Sequence, residues 1–517
     1  MTLPLDLLMF AALIGAILIG YPVSFTLAGV ATLFALLGWL TGQFDPGLLG
    51  ALGQRAFGLM TNQVLIAIPL FVFMGIVLEK SRIAEDLLET AGRLFGPLRG
   101  GLGISVVLVG ALLAASTGIV GATVVAMGLI ALPTMLRNGY DPKLASGIVC
   151  TSGTLGQIIP PSTLLIILSD VMSNAYQQAQ FREGKFTIDT ISVGQIFAAA
   201  LLPGLTLVGI YILYLLAKAW LNPASAPAMK ALDVRPARRE IAAAILPPVL
   251  LIIAVLGSIL GGIATPSEAA SVGAIGALLM ASARQSKGAN RLVFAGAAAL
   301  GLLAVLIGIH PVRLQRSDAG LTDWLVGGLA TVLVLIAAAA IAQALHRTFR
   351  GGVLKPVMTS TMSVTAMIFA TILTASVFSL VFRGLGGDLR VEEFLANMPG
   401  GPQAALLFVM ALIFVLGFFL DFVEISVILL PLVAPVLIMM GHDPVWLSIL
   451  IAINLQTSFL TPPFGFSLFY LRGAAPKEIT TGQIYRGVVP FIGLQILGMA
   501  LIWLWPSVAT FLPKLAF

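Results

Sequence analysis

Two pairs of adjacent prolines interrupt long apolar stretches of this sequence, and each pair follows a run of small, hydroxyl and amide residues. The first run, 151–157, precedes the prolines at 160–161, and the second, 454–458, precedes those at 462–463. Because proline has no N–H to donate, two in succession leave carbonyl groups unpaired. Such carbonyls are tolerated in an apolar helix where they line a cavity or bind a cation. The pattern predicts two broken helices suited to a dehydrated Na⁺; the alternative is a simple kink at each pair.

Two other apolar stretches carry polar residues at their middle, where each is predicted to turn. The first, 101–138, turns at 115–118, and the second, 401–440, turns near Gly417 and continues through Asp421 and Glu424. An ionisable residue inside an apolar hairpin is energetically costly and marks an ion or substrate path by default. Asp421 is therefore the strongest single candidate for ion binding. The alternatives are that Asp421 only caps a helix and that Glu424 lies nearer the membrane surface.

The composition places these features in a membrane protein. Of 517 residues, 59% are hydrophobic and 10% are charged, and the mean hydropathy is +1.05. A soluble domain has about a quarter charged residues, so a water-soluble enzyme is excluded. The net charge of +6 is too sparsely distributed for a nucleic-acid-binding surface. One cysteine and three widely separated histidines predict no disulfide framework and no transition-metal site.

Membrane-spanning helices are predicted wherever about 20 apolar residues occur in succession. They lie near 4–20, 22–40, 62–80, 143–175, 191–220, 241–263, 267–283, 291–310, 323–345, 356–382, 444–472 and 487–512. The stretches 101–138 and 401–440 are predicted to be re-entrant hairpins. Most of the 28 Lys and Arg residues then lie on one face, which the positive-inside rule makes cytoplasmic. The other face keeps Arg55, Arg182, Lys185, Arg313, Arg316, Arg383, Arg390 and Lys514.

An internal repeat relates the two halves of the chain. The segment Gly-Tyr-Asp-Pro at 139–142 recurs as Gly-His-Asp-Pro at 441–444, 302 residues later. The same offset relates both proline pairs, Pro133 to Pro435, and Asp86-Leu87 to Asp388-Leu389. An odd number of predicted spans separates the hairpins, so the second unit is inverted relative to the first. Inverted repeats are typical of secondary transporters that alternate access around a midplane site.

The predicted fold class is an all-α polytopic membrane protein with two re-entrant helical hairpins and two broken helices. Its predicted regions are 1–61 (N-terminal scaffold helices), 62–175 (first repeat), 176–283 (connecting spans), 284–350 (an inserted helical pair), 351–475 (second repeat) and 476–517 (C-terminal span). Three further residues are interpreted structurally: Glu268 as a helix-capping acid, Arg383 as a residue reaching the membrane interface, and His442 as solvated.

Four motifs resemble the large membrane subunit of tripartite ATP-independent periplasmic (TRAP) transporters. They are Ala-Ala-Ser-Thr-Gly at 114–118, Gly-Gln-Ile-Ile-Pro-Pro-Ser at 156–162, Ala-Thr-Pro-Ser-Glu-Ala-Ala at 264–270 and Thr-Pro-Pro-Phe-Gly at 461–465. The resemblance covers nearly the whole chain except about 284–350. It implies an elevator-type, multi-pass transporter of the bacterial inner membrane, with Na⁺ as coupling ion and no other cofactor. The implied partners are a small four-helix membrane subunit, a periplasmic substrate-binding protein, an organic acid substrate and membrane lipid.

The resemblance also implies site residues. One Na⁺ site would use Ser116, Thr117, Gly118, Gly153 and Ser162, and the second Asp421, Thr457 and Thr461, with Gly417 at the adjacent turn. The polar groups expected to face the substrate are Thr154, Gln157, Asn454, Gln456 and Ser458, and the helix-breaking residues are Pro160, Pro161, Pro462 and Pro463. Two other functions stay open: a stand-alone Na⁺- or H⁺-coupled organic-anion symporter of the same superfamily, and, more remotely, an intramembrane enzyme.

Overall fold

A computed structural model of the chain describes residues 4–117, 120–185, 188–229, 237–286, 290–310 and 320–517, without the side chains of 114–117. These residues form α-helices and short 3-10 turns, and no strand occurs among them. Nine of the described helices are long and apolar enough to cross a bilayer. The fold is therefore that of an all-helical polytopic membrane protein.

The first helices lead into the first repeat. They are α1 Leu5–Ile19, α2 Val23–Leu40, α3 Ala51–Thr61, α4 Gln63–Lys80 and α5 Ile83–Phe95. The short helix α3 was not predicted from the sequence, because it has no buried residue and only a weak apolar run. Asn62 ends α3 and begins α4, since its side chain accepts a hydrogen bond from Val64 N at 2.9 Å. The surface helix α5 is amphipathic, with Leu87 and Leu88 buried.

The first hairpin and first broken helix follow. They comprise α6 Gly101–Thr117, α7 Val120–Arg137, α8 Pro142–Thr154, the 3-10 turn Leu155–Gln157 and α9 Thr163–Arg182. Both ends of this hairpin contact one loop, because Gly100 N donates to Ala226 O at 2.9 Å and Asp141 N to Ser225 O at 3.0 Å. The two ends of this hairpin therefore lie close together, against the same loop.

The connecting helices are α10 Val193–Leu221, α11 Arg238–Leu260, α12 Pro266–Gln285, α13 Arg291–Ile309 and α14 Leu321–Arg350. The predicted capping role of Glu268 is confirmed, since Thr265 N donates to its Oε2 at 2.8 Å while Glu268 N donates to Thr265 Oγ1 at 3.3 Å. Helices α13 and α14 pack on each other, and Gly296 permits their close approach to Ala340. Division of the chain into domains at the predicted boundaries stays a prediction.

The second repeat and the C-terminus complete the fold. Their helices are α15 Leu354–Gly384, α16 Gly387–Ala396, α17 Gly401–Leu416, α18 Phe422–Ile428, α19 Leu430–Met439, α20 Pro444–Leu460, α21 Phe466–Ala474, α22 Thr481–Leu504 and α23 Ser507–Ala516. The return arm of the second hairpin bends by 59° between α18 and α19, because Pro431 cannot donate at the start of α19. The predicted single span 487–512 is wrong: α22 and α23 are separate helices on either side of Pro506.

The interpretation of His442 as solvated is also wrong. His442 is 8% exposed, its ring stacks on Trp446, and its Nε2 donates to Pro402 O at 3.2 Å. The contact joins the last turn of the second hairpin to its first, so the two ends of this hairpin also lie close together. A histidine in a predicted turn gives no local indication of a partner 40 residues earlier.

Each half-helix that follows a break packs on the hairpin of the other repeat. Helix α9 of the first unit contacts α18 and α19, and α21 of the second unit contacts α7. Gly128 of α7 lets Leu471 and Ala474 of α21 approach, as small residues do between membrane helices. The two repeats are therefore interlocked around the two breaks.

Candidate functional site

The first break begins where α8 ends at Thr154 and finishes where α9 begins at Thr163. Thr154, Gln157 and Ser162 are completely buried. Ser162 Oγ donates to Gln157 O at 2.9 Å, so the hydroxyl spans the break instead of capping α9. Gly153 lies against the first hairpin, where an added Cβ would be 2.3 Å from Val124 Cγ2. The predicted break is confirmed, and its polar groups face the protein interior.

The second break lies between Leu460 of α20 and Phe466 of α21. Thr457 Oγ1 donates to Ile453 O at 2.8 Å, and Thr461 Oγ1 donates to Thr457 O at 2.7 Å. Such bonds to the preceding turn are common for threonine in membrane helices. Each hydroxyl oxygen still has lone pairs available, because a hydroxyl accepts as well as donates.

The second hairpin packs directly on α20 through the predicted polar residues. Asn454 Nδ2 donates to Met410 O at 2.7 Å, and Ser458 Oγ donates to Phe414 O at 2.8 Å. At Gly417, an added Cβ would be 2.3 Å from Ser458 Oγ. Glycine is therefore required for the last turn of α17 to approach α20 this closely.

Asp421 is the N-cap residue of α18. Its Oδ1 accepts a hydrogen bond from Phe422 N at 2.7 Å, and Asp421 N donates to Glu424 Oε2 at 2.9 Å. The two acids thus form a reciprocal capping box in one turn. The capping role considered for Asp421 is present, and a carboxylate has further lone pairs with which to bind a cation. Glu424 belongs to the same turn as Asp421.

The two breaks meet at side chains related by the internal repeat. Gln456 Nε2 donates to Thr154 Oγ1 at 3.3 Å, and these residues are 302 positions apart. Contact between equivalent residues indicates that the repeats are arranged around a local two-fold axis at this point. Buried polar atoms without a hydrogen-bond partner occur on the same segments: Thr151 Oγ1, both side-chain polar atoms of Gln157, and Gln456 Oε1.

Burial of so many unpaired polar atoms is energetically costly. A buried donor or acceptor without a partner costs about 1–3 kcal/mol, and native structures contain few of them. The four such atoms on these two segments are therefore candidates to bind a ligand, although others occur elsewhere in the described part of the chain, such as Ser282 Oγ on α12 and Thr361 Oγ1 on α15.

Some predicted residues are not located by the structure. Ser116 and Thr117 lie in the last turn of α6, but their side chains lie outside the described part of the chain, and Gly118 does so entirely. The structure thus brings together Gly153, Thr154, Gln157 and Ser162 at the first break, and Gly417, Asn454 and Ser458 at the second.

Sequence reasoning did not identify two other close contacts near the hairpins. An added Cβ at Gly110 would be 2.6 Å from Ser152 Cβ, and one at Gly121 would be 2.7 Å from Tyr470 Cζ. The only indication of these contacts in the sequence is that both positions are glycines, which permit close helix packing. In a chain with 54 glycines, however, that signal does not show which ones face a partner.

Arg383 has specific partners that the sequence did not indicate. Its Nη2 donates to Gln178 Oε1 at 3.2 Å and to Pro431 O at 3.1 Å. The guanidinium therefore lies between α9 and α19, and its position at the membrane interface stays a prediction. Nothing in the local sequence indicates a partner 205 residues away.

Interlocked repeats with hairpins, broken helices and a buried polar site, in a chain whose described helices include nine candidate spans, are typical of a membrane transporter. Solved structures support that fold: the crystal structure of the Alcanivorax borkumensis YdaH transporter matches with a TM-score of 0.56 at 15% identity, over 90% of each chain. The family described as "Tripartite ATP-independent periplasmic transporter, DctM component" matches residues 10–310 and 282–508. The chain belongs to this family.

Similar proteins agree over nearly the full length. The C4-dicarboxylate TRAP transporter large permease protein DctM of Vibrio cholerae is 28% identical, with 98% of this chain and 97% of that protein covered. The ectoine TRAP transporter large permease protein TeaC of Halomonas elongata is 25% identical, with 99% of each covered. The protein is the large permease subunit of a TRAP transporter, multi-pass in the bacterial inner membrane. It is a transporter and not an enzyme.

Proposed function

We propose that this subunit carries out Na⁺-coupled uptake of a small organic acid by an elevator movement. The observation that carries the proposal is the contact between Thr154 and Gln456, which joins equivalent positions of the two breaks beside buried polar atoms that lack partners. A site on a two-fold axis between inverted repeats is where secondary transporters bind their substrates.

Na⁺ coupling is supported by the chemistry available at the breaks. Na⁺ without its hydration shell requires oxygen ligands, and the second break offers the hydroxyls of Thr457 and Thr461. The first break offers Ser162 and the backbone around Gly153. We infer that the tip residues Ser116, Thr117 and Gly118 complete the first site. Asp421 supplies the negative charge of the second.

A carboxylate substrate is supported by amide and hydroxyl donors. Gln157 Nε2 is buried without a partner, and Gln456 Nε2 lies close to Thr154. An anion that accepted hydrogen bonds from these groups would satisfy donors that the protein leaves unpaired. The V. cholerae relative is named for C4-dicarboxylates and the H. elongata relative for ectoine, so a small carboxylate is the class that we assign.

The elevator movement is supported by the packing of the hairpins. Each hairpin is bound to the break of its own repeat and to the half-helix of the other, so the hairpins and broken helices can move together. We call α6–α9 with α17–α21 the hairpin domain. In the proposed movement, the hairpin domain slides against the helices α1–α4 and α11–α15 and carries the site across the membrane. Both hairpins are re-entrant in this proposal.

The proposed partners are a small membrane subunit and a periplasmic binding protein that delivers the substrate. The test is uptake of radiolabelled organic acids, beginning with succinate, into proteoliposomes from which each component or the Na⁺ gradient is omitted in turn. The proposal predicts that uptake requires both proteins and Na⁺. Uptake without the binding protein would favour a stand-alone symporter, and uptake driven equally by a pH gradient would favour H⁺ coupling.

A further inference from the structure

Helix α9 carries a polar stripe along its second half. Asp170, Asn174, Gln178 and Arg182 follow each other at intervals of four residues, a spacing that places side chains on one face of a helix. The first half, from Leu164 to Leu168, is apolar and buried. Asp170 and Gln178 are partly buried, whereas Asn174 and Arg182 are exposed. Partly buried polar groups in a membrane protein are costly unless they have partners. Asp170, Gln178 and Arg182 each bond to another helix.

Two of the stripe residues bond to helices outside the hairpin domain. Asp170 Oδ1 accepts a hydrogen bond from Nδ2 of Asn62, the cap of α4, at 2.8 Å. Gln178 Oε1 accepts from Nη2 of Arg383, at the end of α15, at 3.2 Å. These bonds connect α9 to two neighbouring helices, since α4 and α15 pack on each other.

Arg182, at the end of the stripe, forms ion pairs with the surface helix α16. Its guanidinium contacts Glu392 and lies 3.6 Å from Asp388 Oδ2. The two acids are four residues apart and therefore share a face of α16. Arg390 of the same helix pairs with Asp6 of α1 at 2.7 Å. Helix α16 is thus bonded by its acids to the hairpin domain and by its arginine to the scaffold helix α1.

The equivalent acid of the first repeat has a different partner. Asp86 on α5 corresponds to Asp388 at the 302-residue offset, and it accepts from Arg284 Nη2 on α12 at 2.6 Å. Helix α12 lies outside the hairpin domain. One acid therefore bonds to the scaffold and its repeat equivalent bonds to the hairpin domain. In a transporter built from an inverted repeat, equivalent residues of the two repeats make different contacts in each of the two end states of transport. An asymmetry of this kind therefore distinguishes one end state from the other.

We propose that Arg182 is a positioning residue that holds the hairpin domain in the state seen here, by pairing with Asp388 and Glu392 of α16. The proposal rests on the elevator movement proposed above. Movement of the domain breaks this ion pair, so its loss shifts the population away from this state.

The expected size of the shift follows from the exposure of the pair. Side chains of Arg182, Asp388 and Glu392 are 34%, 23% and 36% exposed, so water screens the charges partly. Pairs of this kind are weak singly, and three charges in one network are stronger. We expect removal of Arg182 to lower the population of the state seen here, relative to the other end state, about threefold to tenfold.

The test uses cysteines at a neighbouring bridge to report the state. In the complete transporter with Cys150→Ala, the substitutions Asn62→Cys and Asp170→Cys place two thiols where α4 and α9 touch. The rate at which an oxidant forms the disulfide then reports how often this state is occupied. Arg182→Gln is compared with Lys185→Gln, which removes the same charge from the loop after α9. Among the described residues, the ion pair of Lys185 is with Glu183 alone.

The expected result is a disulfide that forms at least threefold more slowly with Arg182→Gln than with Lys185→Gln. Reversing the pair, by Arg182→Glu with Glu392→Arg, should restore the rate. Equal rates in the two backgrounds would overturn the role of Arg182. The disulfide should also stop uptake, and a reductant should restore it; uptake that continued with the disulfide intact would overturn the elevator movement itself.

Discussion

Replacement of Gly417 by alanine tests whether the close approach of the second hairpin to α20 is needed for Na⁺ binding. Gly417 has φ −65°, which alanine adopts without strain, so the substitution acts through space alone. The added Cβ would lie 2.3 Å from Ser458 Oγ and 2.9 Å from Ser458 Cβ. Both distances are too short, and the hairpin must therefore move away from the second break.

The magnitude follows from the cost of overpacking. An extra methyl group in a tightly packed interior costs about 1–3 kcal/mol. If the Na⁺-bound form requires the hairpin and the break in contact, the same free energy is lost from binding. The apparent Na⁺ affinity should then fall roughly 5- to 150-fold.

Na⁺ binding can be followed by the rise in melting temperature of the purified subunit with Na⁺ concentration, since a ligand stabilises the state that binds it. Gly493→Ala is the matched control, because no atom of the described residues lies within 4 Å of the added Cβ on α22. The double variant Gly417→Ala with Ser458→Ala lacks Ser458 Oγ, the atom nearest to the added Cβ. It should therefore recover part of the Na⁺ affinity. The recovery is incomplete because the hydrogen bond from Ser458 to Phe414 O, worth about 1 kcal/mol, is lost as well. Unchanged Na⁺ dependence in Gly417→Ala would refute the placement of the site between hairpin and break.

Three further substitutions test individual contacts of the fold, each by the melting temperature in calorimetry or fluorescence. Thr265→Ala removes the cap of α12 and should cost about 1 kcal/mol, whereas Thr265→Ser should cost little; equal losses would contradict the capping role. Arg390→Ala leaves the carboxylate of Asp6, which is 1% exposed, unpaired and should cost about 3 kcal/mol. Most of that loss should be recovered with Asp6→Asn, and no recovery would contradict the pairing. Asn454→Ala leaves a hairpin carbonyl without its donor and should cost about 1–3 kcal/mol; an unchanged melting temperature would contradict that bond.

Much of the fold follows from local features of the sequence. Apolar length predicted α2, α4 and α10. The proline pairs at 160–161 and 462–463, together with the polar runs before them, predicted both breaks. A missing N–H alone does not end a helix, because Pro247 and Pro248 lie inside the continuous helix α11. The repeat placed Thr154 and Gln456 at equivalent positions of the two units, but the hydrogen bond between them was not predicted and is seen only in the folded chain. The capping of α12 by Glu268 was also predictable, because it depends on residues within one turn of the helix start.

Other features depend on contacts between distant residues and were not predictable from one sequence. The partners of His442 and Arg383 lie on other helices, 40 and 205 residues away. The bend before Pro431 was missed because the apolar run continues through it and hides the helix end. Among the site residues, sequence spacing indicated which groups are polar, but only the folded chain shows that Ser458 contacts Gly417.

The most direct test of Na⁺ coupling separates the two roles open to Asp421. Asp421→Asn keeps an N-cap side chain on α18 but removes the charge, whereas Asp421→Ala removes both. Each variant is reconstituted with the small subunit and the binding protein, and uptake is measured under an inward Na⁺ gradient. The proposal predicts that Na⁺-driven uptake is lost in both variants while the asparagine protein keeps its melting temperature. Full Na⁺-driven uptake by Asp421→Asn would contradict the assignment of Asp421 to Na⁺ and leave it a helix cap.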